Sequence, residues 1–370
     1  MEENHQLKRL EALRRHLKDS RNDGAWIIQP ENRRYLSGYR AEDTQITESS
    51  GSLLIDERHL FLVTDSRYTV QAQAEAPAFE IITIKKGITE ELPAILERAG
   101  VKRLGFEPDY LTWQVHKRLG SALKKLSPEI ALLPFSGVVE KMREIKDESE
   151  IKALETSAEM ISAILEDVIS LLEPGLSEKE VAWMIEDMAR KAGAESLAFP
   201  SIVASGPNSA MPHAVPTGRR LKENEPVTLD VGVRLNGYCS DITRTVFLGE
   251  PDDEIKKVYR TVRKAQLEAL KHVAPGVKSS HPDTVARKII DAAGYGKYFG
   301  HGLGHGVGLA THEGPRLSPL KPVTLEQGMV VTVEPGIYIP GTGGVRLEET
   351  VVIGPDGARV ITKTDHLNEF

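Results

Sequence analysis

The sequence predicts two domains: an α/β unit over residues 1–140, then an α+β unit over 141–370 whose halves repeat one plan. Three observations carry this. The chain has 370 residues, and single domains typically hold ~100–200. Up to about Ser136, short apolar runs alternate with helical patterns, as helices packed on a sheet require. Beyond it, a helix leading to Pro174-Gly175 and then acid-bearing strands is answered by a helix leading to Pro275-Gly276 and more acid-bearing strands.

In the first unit Leu10, Leu13 and Leu17 lie at helical spacing. AWIIQ (25–29), GSLLID (51–56), HLFLVTD (59–65) and FEIITI (79–84) read as strands, and 88–100 and 112–126 as helices. No phosphate-binding glycine fingerprint follows the first strand, so no nucleotide site is expected there. The charged run EKMREIKDESE places the boundary near residue 140. Asp147 and Glu150 form a D-x-x-E cap for a helix striped by Ile151, Leu154, Ala158, Ile161, Leu165, Val168 and Leu172. Ser177 and Glu180 make a capping box for the next. In the second half, helices are expected over Asp253–His272 and near Thr284–Ala293. Pro174 precedes Asp230 by nearly the interval that separates Pro275 from Glu334, as a pseudo-twofold domain with one central site would show.

With 40% hydrophobic and 27% charged residues, the composition is that of a globular protein. The net charge of −7 argues against nucleic acid as a partner, since phosphate binding needs a basic surface. No stretch approaches the ~18 consecutive apolar residues of a membrane span, so no membrane partner is expected. The charged N-terminus lacks the apolar core of a signal peptide. A single cysteine, Cys239, cannot form an intrachain disulfide. The expected location is the cytoplasm.

The chemistry starts at a hairpin. Val227–Leu235 and Tyr238–Phe247 are β-rich and separated by Asn236-Gly237, the strongest short-range hairpin signal. A two-residue turn pairs Leu235 with Tyr238, Gly232 with Asp241 and Asp230 with Thr243. Asp230 and Asp241 then share a face as diagonal neighbours, with Gly232 leaving an empty space between them. Two carboxylates aimed at one space repel unless a proton or cation lies between them. Further along, GMVVTVEPG ends an apolar strand with Glu334, and GVRLEETVVIG sets Glu348 in mid-strand. Arg346, Glu348 and Thr350 share one face by alternation, and Glu349 is expected to face water.

Between these runs lie His301, His305 and His312 in YFGHGLGHGVGLATHEG, where five glycines fall between Gly300 and Gly308. Such a run allows close backbone approach and tight placement of imidazoles. Four carboxylates and one imidazole carry too much negative charge for one divalent ion but suit two. The oxygen-rich set favours Mn²⁺, Co²⁺, Fe²⁺ or Zn²⁺. Paired ions of this kind serve hydrolysis.

The series LDVG (Asp230), SDITR (Asp241), HGLGHGVG (His305), VEPGIY (Glu334) and VRLEE (Glu348) resembles the dinuclear-metal "pita-bread" peptidases: methionine aminopeptidase, aminopeptidase P and prolidase. The resemblance implies a creatinase-type N-terminal domain, a pita-bread catalytic domain and two divalent ions per chain, Mn²⁺ foremost. It implies that Asp241 and Glu348 bridge the ions, that Asp230 completes one shell and that His305 with Glu334 completes the other. NRRYLSGY (32–39), LVTDSRY (62–68) and EKMREIKDESEI (140–151) look like the N-terminal and linker signatures of prolidase and aminopeptidase P, which methionine aminopeptidase lacks. The implied substrates are proline-containing peptides cut at an Xaa–Pro bond. By motif, His213 in SGPNSAMPHAVP matches the first substrate-side histidine. His312 matches the one that hydrogen-bonds the tetrahedral intermediate, and His301 the one near bound proline. Glu334 is the expected proton shuttle, and Arg346 offsets residual negative charge. Arg316 sits where prolidases place a carboxylate-binding arginine, although aminopeptidase-like relatives also carry an Arg in that loop. Overall resemblance leans toward the aminopeptidase P type, with prolidase the alternative and a non-catalytic pita-bread binding protein a third reading. A homodimer is the family's expectation.

Overall fold

The computed structural model describes residues 2–43, 45–126 and 130–364. The chain divides into two compact units, Met1–Met142 and Arg143–Phe370. Among the described residues, no helix is long and apolar enough to cross a membrane.

The first unit holds α1 (Glu2–Asp19), α2 (Pro30–Ser37), α3 (Thr69–Glu75), α4 (Ile88–Ala99) and α5 (Trp113–Leu126), and α6 (Val138–Glu144) runs across the boundary into the second. Its strands are β1 (Gly24–Ile27), β2 (Ser52–Asp56), β3 (Leu60–Asp65), β4 (Glu80–Ile84), β5 (Arg103–Phe106) and β6 (Ala131–Pro134). They form one mixed sheet in the order β4-β3-β2-β1-β5-β6. Residues on both faces of β1 and β2 are buried, as strands covered by helices on each side must be. On one face Leu92, Ile95 and Leu96 of α4 and Leu119 and Leu123 of α5 pack against Trp26, Leu54 and Phe61. Strands β5 and β6 went unread in the sequence. Each is only four residues long, and a glycine interrupts β5 where Gly105 lies against the Phe135 ring.

The second unit is built twice. Its first half opens with α7 (Glu148–Ser170) and α8 (Glu178–Lys191), both started by reciprocal capping boxes, Asp147 with Glu150 and Ser177 with Glu180. Its strands are β7 (Ser196–Leu197), β8 (Ile202–Ser205), β9 (Pro226–Val231), β10 (Val233–Leu235), β11 (Tyr238–Cys239) and β12 (Ile242–Phe247). The second half opens with α9 (Asp253–Leu270) and α10 (Ser280–Ala292). The strands that follow are β13 (Gly304–Gly306), β14 (Glu313–Leu317), β15 (Val330–Val333), β16 (Gly336–Ile339), β17 (Gly343–Arg346), β18 (Glu349–Gly354) and β19 (Gly357–Val360). The repeat extends to single hydrogen bonds. Gly175 N–H donates to Leu221 and Leu221 N–H to Leu176; likewise Gly276 N–H donates to Leu325 and Leu325 N–H to Val277. In each half the apolar stripe of a helix pair covers an antiparallel sheet: α7 and α8 lie on β8, β9 and β12, and α9 and α10 on β15 and β18. The opposite faces of these sheets are left to the polar side chains.

Ion pairing pins the Gly-rich segment. Arg143 and Lys146 both donate to the Glu313 carboxylate on β14, Lys146 at 2.7 Å. Burial alone would raise this carboxyl, but the two cations outweigh it and hold it below its ordinary value of 4.5. A depressed acid contributes stability that is present above the unfolded value and lost as pH falls through the folded one. Melting temperature measured down the acid limb should therefore fall less steeply in Glu313→Gln than in the parent. Parallel acid limbs would show that the pair adds no pH-dependent stability.

Candidate active site

The hairpin has the register its turn demands: Leu235 pairs with Tyr238, and Asp230 with Thr243. Its arms nevertheless break between the two ladders, and Asp241 lies in that break. No empty space remains at Gly232. A Cβ there would meet the Ser240 carbonyl oxygen at 2.1 Å, so only glycine permits the approach. Glu348 also differs from expectation: it lies between β17 and β18 rather than in mid-strand. Glu334 directly follows β15. Three of the four acids thus sit at a strand end, where the Glu334 and Glu348 N–H groups bond across to Leu303 and Thr243.

Gly304 brings the imidazole of His305 alongside. A Cβ at Gly304 would lie 2.0 Å from the Thr332 carbonyl oxygen, so β13 can approach β15 this closely only with glycine there. His305 Nδ1 lies 3.1 Å from the Gly306 carbonyl. Donating a proton to it leaves the Nε2 lone pair facing the acids, the usual device for orienting a metal-binding histidine. Nε2 is 3.3 Å from Glu334 Oε1 and 3.7 Å from Asp241 Oδ2. Donor atoms of Asp241, His305 and Glu348 lie within 4.8 Å of one another.

The electrostatics are those of a site built for cations. Burial first, then the charges of Glu348, Asp230 and Glu334, drives the Asp241 carboxyl well above the usual range. Burial, then Glu334 and Asp230, does the same to Glu348. Asp230 is raised by burial despite Arg346. Burial would raise Glu334 too, but His305 outweighs it and holds the carboxyl down to about 2. Two buried oxygens, Asp230 Oδ1 and Glu348 Oε1, have no hydrogen-bond partner. Their sister oxygens are occupied, by Arg346 at 2.6 Å and by the Thr243 hydroxyl at 2.7 Å. Orphaned carboxylate oxygens within a crowded acid cluster fit divalent metal ions, whose hard charge they would satisfy.

The cleft around this cluster has a volume of about 530 Å³. The structure brings every candidate residue to it: Asp230, Asp241, His305, Glu334 and Glu348, with His213, His301, His312, Arg316 and Arg346 on the walls. His312 packs edge-on to His305 with ring centroids 4.3 Å apart. Burial and then the His305 charge depress it to about 4. Arg346 is buried, and its guanidinium reaches Asp230, the Tyr338 hydroxyl at 2.9 Å and the Pro212 carbonyl at 3.2 Å. Tyr338 was missed in the sequence, where it reads as one more strand residue. Its hydroxyl bridges Arg346 and His301 Nε2, the latter at 2.9 Å, and burial pushes it up to about 12.

Glu349 corrects another expectation. It is buried rather than facing water, with Arg244 donating at 2.7 Å and the Thr362 hydroxyl completing the pair.

The family model for metallopeptidase family M24 matches residues 152–355, and that for the creatinase/prolidase N-terminal domain matches 9–145. The chain belongs to metallopeptidase family M24. The M24 catalytic domain therefore follows a creatinase-type domain in this protein, and the protein is a metal-dependent peptidase. The M24 chain is 40% identical to an Xaa-Pro dipeptidase of Pyrococcus horikoshii over 72% of its length and 74% of that protein's. Among solved structures it resembles an Xaa-Pro dipeptidase from Bacillus anthracis with TM-score 0.90 and 39% identity, covering 97% of this chain and 98% of that one. An X-Pro aminopeptidase from Thermotoga maritima gives 0.83 and 36%, covering 94% and 97%. The balance favours the dipeptidases over the aminopeptidase type expected from the sequence.

Proposed function

We propose that this M24 peptidase is an Xaa-Pro dipeptidase, a prolidase, using two divalent metal ions held by Asp230, Asp241, His305, Glu334 and Glu348. The observation that carries the metal reading is the pair of buried, orphaned oxygens on Asp230 and Glu348 within a cluster of four acids. Bound there, the ions would activate water and polarise the scissile carbonyl. The remaining work falls to side chains. An Xaa–Pro nitrogen carries no N–H and must gain a proton to leave. In this reading the Glu334 carboxylate takes a proton from the attacking water and hands it to that nitrogen. His312 and His213 flank the cleft as hydrogen-bond donors to the tetrahedral oxygen and to the substrate. His301, braced by Tyr338, lies on the wall expected to meet proline. Arg346 anchors Asp230 and holds a positive charge beside the acids.

A dipeptidase must also recognise a free carboxylate. Arg316, an exposed cation on the cleft wall, suits that task through a two-pronged ion pair. Physiological metal and quaternary state follow the family in this reading: Mn²⁺ and a homodimer. The deciding assay compares an Xaa-Pro dipeptide with an Xaa-Pro-Xaa tripeptide on metal-reconstituted protein. The dipeptide should be the better substrate, and Arg316→Ala should raise its KM by ~10–100-fold, the size of a lost charged hydrogen bond of ~1.5–3 kcal/mol. Cleavage of the tripeptide alone would return the assignment to the aminopeptidase type.

A further inference from the structure

A buried acid that none of these roles uses lies beneath the segment carrying His213. Glu178, the first residue of α8, is fully buried. Its Oε1 accepts from the Ser205 N–H and hydroxyl, both at 2.8 Å, and from Asn208 Nδ2 at 3.0 Å. Its Oε2 accepts from the Thr217 N–H at 2.9 Å, the Thr217 hydroxyl at 2.6 Å and Asn208 Nδ2 at 3.1 Å. Every one of these neighbours is a donor. Burial would raise the carboxyl, but the hydrogen bonds from Thr217 and Ser205 outweigh it and keep it below the ordinary value.

Ser205 and Thr217 are the two ends of one segment, and between them lie Pro212, His213, Ala214, Val215 and Pro216 of the cleft wall. The backbone of α8 reinforces the far end, Glu178 N–H donating to Arg219 and Lys179 N–H to Thr217. His213 itself is exposed, so its placement depends on the path of this segment rather than on packing around its ring. At the middle, Arg346 grips the Pro212 carbonyl.

We propose that Glu178 is a positioning residue, a buried carboxylate that fastens both ends of segment 205–217 and thereby sets His213 at the cleft; this rests on the role given to His213 above. A carboxylate suits the site because each of its oxygens faces a backbone N–H, of Ser205 or of Thr217, which can only donate. Glutamine would turn an amide N–H against the backbone N–H of Ser205 or Thr217 and orphan that donor.

The test is Glu178→Gln, read by hydrogen exchange over residues 206–217 and by kcat/KM on an Xaa-Pro dipeptide, each alone and combined with His213→Ala. Exchange should quicken in this segment but not in β9 or β12. kcat/KM should fall ~10–100-fold, as displacement of a catalytic group by about an ångström does. In the His213→Ala background Glu178→Gln should cost little more, because the group it positions is already gone. Thr217→Val keeps the N–H and removes one donor. It should shift both readouts less, in the same direction, and it decides the matter if Glu178→Gln does not fold. Unchanged exchange over 206–217, or an equal loss repeated in the His213→Ala background, overturns the proposal. Exchange reads the fastening without turnover, so an inactive parent protein would count against the dipeptidase reading alone.

Discussion

Asp241→Ala should abolish Xaa-Pro hydrolysis while leaving the fold intact. Asp241 is 4% exposed, and its carboxyl is forced well above the usual range by burial and by Glu348, Asp230 and Glu334. Because it is one of the residues that would hold the metal, its loss would remove donor oxygens from the centre. Partners that merely orient a metal-binding side chain cost ~10–100-fold when removed. Loss of a residue that would hold the metal directly should exceed that, with kcat/KM down by more than ~100-fold and the metal content reduced. Metal-free stability should not fall in step, because deleting one of four crowded acids relieves like-charge repulsion. The check is kcat/KM, bound metal and urea unfolding of the metal-free form, measured on one preparation. Retained turnover would show that Asp241 is not part of the metal centre.

Glu349→Ala should do the reverse, damaging the fold far more than the chemistry. Glu349 and Arg244 are both buried, and the guanidinium also donates to the Glu348 carbonyl at 2.6 Å. Removing the acid strands a buried arginine, a change that typically costs ~3–5 kcal/mol. That is a large fraction of the ~5–15 kcal/mol holding an ordinary domain together. The expected result is a clear drop in urea midpoint, with kcat/KM within a few-fold of the parent while the protein stays folded. Equal midpoints would mean that Arg244 finds another partner. Together the two variants separate a chemical role, at Asp241 before β12, from a structural one, at Glu349 on β18.

Much of this was legible because periodicity and turn chemistry are local. Asn236-Gly237 fixed the hairpin register, so the facing of Asp230 and Thr243 followed from counting. The capping boxes at Asp147 and Ser177 marked two helix starts for the same reason. The readings that failed concern what lies across space. Alternation places Glu349 opposite Glu348 but cannot say whether Arg244 and Thr362 wait there. Gly232 invites an empty space until the Ser240 carbonyl is seen to fill it. Tyr338 and Glu178 escaped notice because a strand tyrosine and a first-turn glutamate are ordinary in their local settings. Their functions arise from partners far along the chain, Arg346 and His301 for one, Ser205 and Thr217 for the other.

Five side chains from both halves of the duplicated domain surround one cleft, and their crowded acids suit a pair of divalent cations. Elemental analysis of purified, metal-reconstituted protein tests this most directly. About two divalent ions per chain should be retained, as a paired-ion hydrolase requires, and they should be lost from Asp241→Ala. Fewer than one ion per chain in the parent protein, or full retention without Asp241, would contradict the paired-metal centre.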